Sequence, residues 1–198
     1  MAKKARVYDG TAWQELASAQ TDLTAYSTTA QMNTAITAGV GLVPILTQTI
    51  GTAVSSITVT NAFSATYDNY QIVVSGGVAS TNAELTLKLG ATATGYYAAR
   101  SRVTYAGVSS VQGDNNGSLW NAVGFTSTNA ISANFNLNNP FLTKNTFMSA
   151  LTSDPATTGR GSFNAGYLDN TTSYTDFTLA PTGGTLTGGT IRVYGYMN

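Results

Sequence analysis

From residue 57 to the C-terminus, apolar and polar side chains mostly alternate in short runs, the period of an extended strand with one buried face. In 83–89, Leu85, Leu87 and Leu89 share one side while Glu84, Thr86 and Lys88 share the other, so Glu84 is expected in solvent. The same rhythm predicts strands over 57–60, 70–75, 118–125, 131–137, 146–151, 161–168, 174–179 and 190–196. Turn-forming clusters separate them: Ser75-Gly76-Gly77, Gly113-Asp114-Asn115-Asn116-Gly117, Asn138-Asn139-Pro140, Ser153-Asp154-Pro155 and Gly183-Gly184. About eight to ten short strands at this spacing predict a mainly β chain, folded as an antiparallel β-sandwich, jelly-roll-like in preference to a barrel.

The first 42 residues follow other rules. In 1–14, Arg6-Val7-Tyr8 and Thr11-Ala12-Trp13 flank Asp9-Gly10, a hairpin turn pair. Tyr8 and Trp13 thus sit in a segment too short for a core, and an isolated two-stranded hairpin is barely stable. Their shelter is expected from another chain. In 15–42, Leu16, Ala19, Leu23, Tyr26 and Ala30 recur at steps of three and four, the rhythm of a helical seam. Thr28 and Gln31 stand in capping-box relation, and Met32, Ala35, Ile36 and Gly39 continue a helical stripe, predicting a short helix near 29–38. Six threonines between 21 and 37 weaken it, so it must lean on its own β domain or, the favoured reading, on copies about a symmetry axis. Residues 39–44, "GVGLVP", read as a hinge. The expected organisation is a hairpin (1–14), a short helical stalk (15–42) and a β-sandwich domain (43–198).

Charge narrows the function. Nine Lys and Arg balance nine Asp and Glu in 198 residues. No cationic excess is left to displace counterions from a phosphate backbone, so no nucleic-acid partner is expected. The cluster Lys3, Lys4 and Arg6 reads as a solvated terminus. There is no Cys and no His, which removes disulfides, thiolate metal sites, and the commonest general base and zinc ligand. No metal or cofactor is expected. No apolar run approaches the ~18 residues that cross a bilayer, and "MAKKARVYDG" lacks the apolar stretch of a secretory signal. No membrane partner is expected, and expression in a cytoplasm is.

Catalysis would then rest on carboxylates. A glycosidase needs two of them, ~5 to ~9.5 Å apart. Asp68, Asp114, Asp154 and Asp169 fall in predicted turns, where an aspartate ordinarily bonds its own backbone, and no pair stands out. "GDNNGS" lacks the ligand spacing of a calcium loop and reads as a hairpin tip. An enzyme is not expected. The aromatics carry more promise. "TGYYAARSR" joins Tyr96 and Tyr97 to Arg100 and Arg102 in a region without clear alternation, the composition of a recognition surface, although a local structural role is the alternative. Trp120 is a further aromatic of this kind.

Three stretches resemble a known family. "VYDGTAWQEL" resembles the N-terminal segments by which small virion fibres and minor tail proteins of tailed bacteriophages join the particle. "FSATYDNYQIVVSG" (63–76) resembles a strand opening of phage β-sandwich modules, and "GGTIRVYGYMN" (188–198) resembles their closing strand. The resemblance covers both ends and one internal strand and leaves 90–187 unmatched. It implies a homotrimer located in the virion, with an N-terminal anchor, a short helical stalk and a β-sandwich knob facing the host. On that reading Val7, Tyr8 and Trp13 bury against another virion protein, and Leu16, Leu23, Met32 and Ile36 line the trimer axis. Tyr96, Tyr97, Arg100 and Trp120 would then contact a host receptor, a surface glycan. Two rivals are a capsid decoration protein, which would use the same N-terminus, and a polysaccharide depolymerase, which would need paired acids in a groove.

Overall fold

A computed structural model of the chain describes residues 6–15, 41–154 and 159–197. The predicted helix and the stalk residues Leu16, Leu23, Met32 and Ile36 lie outside the described residues. Two compact units are present, Met1–Gly41 and Leu42–Asn198. Among the described residues strands are the only long regular elements, and no helix is long and apolar enough to cross a membrane.

The first unit contains β1 (Arg6–Tyr8) and β2 (Trp13–Glu15), antiparallel, with Tyr8 opposite Trp13. The predicted hairpin forms, but its loop has four residues in place of two. Asp9 organises it: one side-chain oxygen accepts the amides of Thr11 (2.8 Å) and Ala12 (2.9 Å), and Gly10 supplies a φ of 99°.

The second unit holds the remaining strands: β3 (Leu42–Thr49), β4 (Ile57–Val59), β5 (Asn69–Ser75), β6 (Val78–Ala79), β7 (Ala83–Leu89), β8 (Tyr96–Thr104), β9 (Ser109–Gly117), β10 (Trp120–Thr126), β11 (Ile131–Asn138), β12 (Thr146–Ser153), β13 (Arg160–Leu168), β14 (Phe177–Pro181), β15 (Leu186–Thr187) and β16 (Thr190–Tyr196). Except for the small pair β6 and β15, they form one 12-stranded antiparallel network. One long run through it is β3-β16-β5-β11-β12-β13-β8-β9.

A second layer grows from β11. One edge of β11 pairs with β5 along Ala133–Asn138. Its other edge is shared, with β10 taking Ile131–Ala133 and β12 taking Phe135–Asn138. From β10 the ladder continues through β7 and β14 to β4. The arrangement is consistent with a β-sandwich. Between the layers lie Tyr70, Ile72, Phe135, Leu137, Leu85, Leu87, Leu89 and Phe177, all fully buried. Alternation accounts for these positions: in β5, β11 and β16 every second residue is buried. Trp120 of β10 crosses to the long run, donating its indole N–H to the Tyr97 carbonyl (3.2 Å). Gly166 makes room, since a Cβ there would collide with that carbonyl and the indole nitrogen.

Three expectations are corrected. The last residues of "GVGLVP", Leu42–Pro44, are no hinge, because Leu42–Thr49 is a strand; residues 39 and 40 lie outside the described residues. Pro44 fits since β3 is an edge, where a missing N–H costs no ladder bond. "GDNNG" is no hairpin tip but the end of β9; the chain turns earlier, around Gly107 (φ 83°). "TGYYAARSR" is ordered as β8, and its alternation was hidden because arginines occupy inward positions.

Candidate functional site

The interior below β8, β13 and β12 changes character along its length. At one end Tyr96 meets Trp120 edge-on, ring centroids 5.0 Å apart. The Tyr96 hydroxyl accepts the Leu89 amide (2.8 Å), and burial raises the phenol's pKa above its usual range. Further along, inward positions carry Arg100, Arg102, Ser162, Asn164 and Thr152, all buried.

These arginines share one carboxylate. Glu84 Oε1 accepts from Arg102 Nη2 (2.6 Å) and Arg160 Nη2 (2.9 Å), and Glu84 Oε2 lies 3.7 Å from Arg100 Nη1. Arg100 Nη2 also donates to Asp114 Oδ1 (3.1 Å), whose other oxygen accepts from Asn121 (3.3 Å). Desolvation lowers the Arg102 pKa, opposed by Glu84. Glu84, about 20% exposed, is therefore held by arginines and not free in solvent, and Asp114 does not serve its own turn. Both are corrected to partners of buried arginines, because the inner face of β8 and β13 is cationic and requires anions. A cleft of about 270 Å³ beside this cluster is lined by Glu84, Asp154, Arg160 and Phe125, with the Arg160 guanidinium 5.5 Å from the Phe125 ring centroid. Among the described residues no three His, Cys, Asp or Glu side chains converge as a metal site would need.

The burial of Arg100, Tyr96 and Trp120 removes three of the four residues read as receptor contacts. Tyr96 and Trp120 are wholly enclosed and Arg100 is held by Asp114 and Glu84, so a receptor cannot reach them. Tyr97 alone lies on the outer face, because successive strand residues alternate sides. Of the attachment residues, Tyr8 is about half exposed (53%). Val7 and Trp13 lie in the hairpin strands, and their side chains are outside the described set.

The outer face of the long run has its own order. Register places Phe147, Tyr167 and Tyr97 side by side on β12, β13 and β8, with Tyr97 and Tyr167 stacked at 5.1 Å. A row of small residues follows, Ser149, Ala165, Ala99 and Gly113, and then Leu151, Phe163, Ser101 and Val111. Leu151 (76%) and Val111 (83%) are the most exposed of these. Toward β5 and β11 the same face carries Asn69, Gln71, Asn134, Asn136 and Asn138.

Sequence reasoning missed this surface, although Asn134, Asn136 and Asn138 at every second position were a visible signal. Phe147 and Leu151 gave no such sign, since both faces of β12 hold apolar residues. Comparison of the chain with protein-family models, curated proteins and solved structures finds no match.

Proposed function

We propose that the chain is a structural and adhesive protein of a bacteriophage particle. Its β domain is a knob that assembles as a homotrimer and meets the host surface. The N-terminal hairpin joins a neighbouring virion protein through Val7, Tyr8 and Trp13, while Leu16, Leu23, Met32 and Ile36 line the trimer axis. The resemblance of the terminal segments and of 63–76 to phage fibre proteins supports the virion setting.

The observation that carries the assembly is the reversed sidedness of β13, β8 and β9. Arg100, Arg102, Ser162 and Asn164 are turned inward, while Phe163, Val103 and Val111 are turned out, beside the outward Leu151 of β12. Covering an exposed side chain of this size returns ~1.5 to ~3 kcal/mol. Four strands ~4.8 Å apart and eight or nine residues long at ~3.3 Å each present on the order of 500 Å² of sheet in projection. On it these apolar side chains alternate with small ones such as Ser149, Ser101 and Gly113. The edges of the run agree. Strand β3 is blunted by Pro44, whereas β9 contains neither Pro nor Lys, and its one charge, Asp114, is bound to Arg100.

Light scattering on the purified full chain tests this reading. Three chain masses are expected at micromolar concentration, falling to one in the Leu151→Glu, Phe163→Glu double variant with an unchanged β-type circular dichroism spectrum. A single chain mass for the unaltered protein overturns the trimer.

A further inference from the structure

We propose that the outer face of β16, β5 and β11, continued by the aromatic row on β12, β13 and β8, binds an uncharged glycan. The inference deepens the adhesive half of the reading above and rests on it for its biological setting, but the binding is measurable on the chain alone.

Its first support is the amide array. Asn138 Nδ2 donates to Asn69 Oδ1 (2.7 Å), Gln71 Nε2 donates to Asn134 Oδ1 (2.9 Å), and the Tyr196 hydroxyl donates to Asn136 Oδ1 (2.9 Å). Each amide–amide pair consumes one donor and one acceptor and leaves one amide oxygen and one amide nitrogen available. Swapping O and N within a pair preserves that balance. A sugar hydroxyl both donates and accepts, so alternating amide groups on adjacent strands match a run of hydroxyls. A phosphate, which only accepts, would need a more one-sided set of donors.

Shape and charge agree. A depression of about 490 Å³ is lined by Asn69, Asn136, Asn138, Ser149, Tyr196 and Met197. A second, of about 260 Å³, shares Asn136 and Ser149 with it, reaches Gln71 and Asn134 and ends against Leu151 and Phe163, so the two form one trough across β5, β11 and β12 that borders the apolar face. Along the top row the register runs Asn69, Asn138, Phe147, Tyr167, Tyr97. The amides therefore lead directly onto stacked rings, and an aromatic face is the surface on which the C–H side of a pyranose can lie. Among the outward strand positions of this trough the only charge is Arg192, whose Nη1 is bound to Ser75 Oγ (3.1 Å). A sialylated or uronic-acid chain would find little to neutralise it. A neutral hexose or N-acetylhexosamine chain needs no such group.

The experiment is isothermal titration of the full chain with neutral hexose and N-acetylhexosamine oligosaccharides, alongside sialic- and uronic-acid-containing oligomers of matched length. A neutral oligosaccharide is expected to bind, and the acidic ones to bind more weakly. Asn136→Ala and Tyr167→Ala should each lower affinity by about tenfold, the scale of one lost hydrogen-bond set or stacking contact. Asn136→Ser, which spares the strand, guards against misfolding and should weaken binding in the same direction with an unchanged melting curve. A Val103→Glu, Val111→Glu variant, at exposed positions that line neither depression, reports the trimer separately. A trimer that binds no neutral oligosaccharide, or binds it undiminished in the Asn136 and Tyr167 variants, overturns this inference alone. A monomer that still binds overturns the assembly and leaves the glycan site standing. Preference for the acidic oligomers overturns the uncharged class.

Discussion

The two halves of the long strand run use opposite faces for the same purpose. On β5, β11 and β16 the inner positions include Tyr70, Ile72, Phe135, Leu137, Ile191 and Val193, and the outer ones are mostly amides, tyrosines and hydroxyls, with Val73 and Arg192 among them. On β8 and β13 the inner positions beyond Tyr96 and Leu168 are Arg100, Arg102, Asn164 and Ser162, while Val103 and Phe163 lie outside. The first half is stabilised by area removed from water. The second must satisfy buried charge, and it does so incompletely: Arg102 Nε, Ser162 Oγ and Thr152 Oγ1 have no hydrogen-bond partner within the protein. The apolar groups this half turns outward are the feature on which the proposed assembly rests.

That contrast can be broken at Glu84. Removing it leaves Arg102 and Arg160 without their shared acceptor and Arg100 without one of its two anions. Glu84→Ala should cost ~3 to ~5 kcal/mol in urea unfolding, the range for breaking a buried pair. Glu84→Gln, which keeps the volume, should cost nearly as much. A loss below ~1 kcal/mol would mean that water already screens the guanidiniums, as at an exposed pair, and the two halves would differ in composition only.

Tyr96 tests the boundary between the halves. Tyr96→Phe orphans the Leu89 amide and should cost ~1 to ~3 kcal/mol. The phenol also sets a pH dependence. Burial holds its folded pKa above the ~10 of the unfolded chain, so its contribution is whole below about pH 10 and is lost as pH rises beyond, where the unfolded chain releases its proton first. Tyr70, raised by the same cause, adds with the same sign. Urea midpoints followed upward from pH 9 should fall more steeply in the parent chain than in Tyr96→Phe.

The smallest expected change sharpens the comparison. Thr152 is buried with an unpartnered hydroxyl, so Thr152→Val keeps the shape and removes a desolvated polar group. A gain of about 1 kcal/mol is expected. Destabilisation would show that the hydroxyl is satisfied in solution.

The alternating half was the legible half. Strands β7 and β16 match the expected bounds to the residue and β11 does so within one, because Leu85, Leu87, Leu89 and their like point inward and hydrophobic period two reports directly on them, although Thr86, read as outward, is buried. β13 also falls within one residue, despite its inward Ser162 and Asn164. β8 and β9 escaped for the opposite reason. Arg100 and Arg102 occupy inward positions, and "SSVQGDNNG" offers no apolar stripe; β9 is defined by its ladder to β8. Of the surface residues only Tyr97 was anticipated, since it follows an inward Tyr96 that looked identical in the sequence.

By itself the sequence determined that this chain is strand-rich, punctuated by tight turns, and begins with a small hairpin. Those properties depend on neighbours along the chain, on backbone period and on turn chemistry. Only the tertiary structure decided which way each strand faces where both sides are polar or both apolar, and so which tyrosine is core and which is surface. Side-chain orientation there is set by partners distant in sequence, Glu84 for Arg102 and Arg160, and Trp120 for Tyr96, and local periodicity carries no record of them.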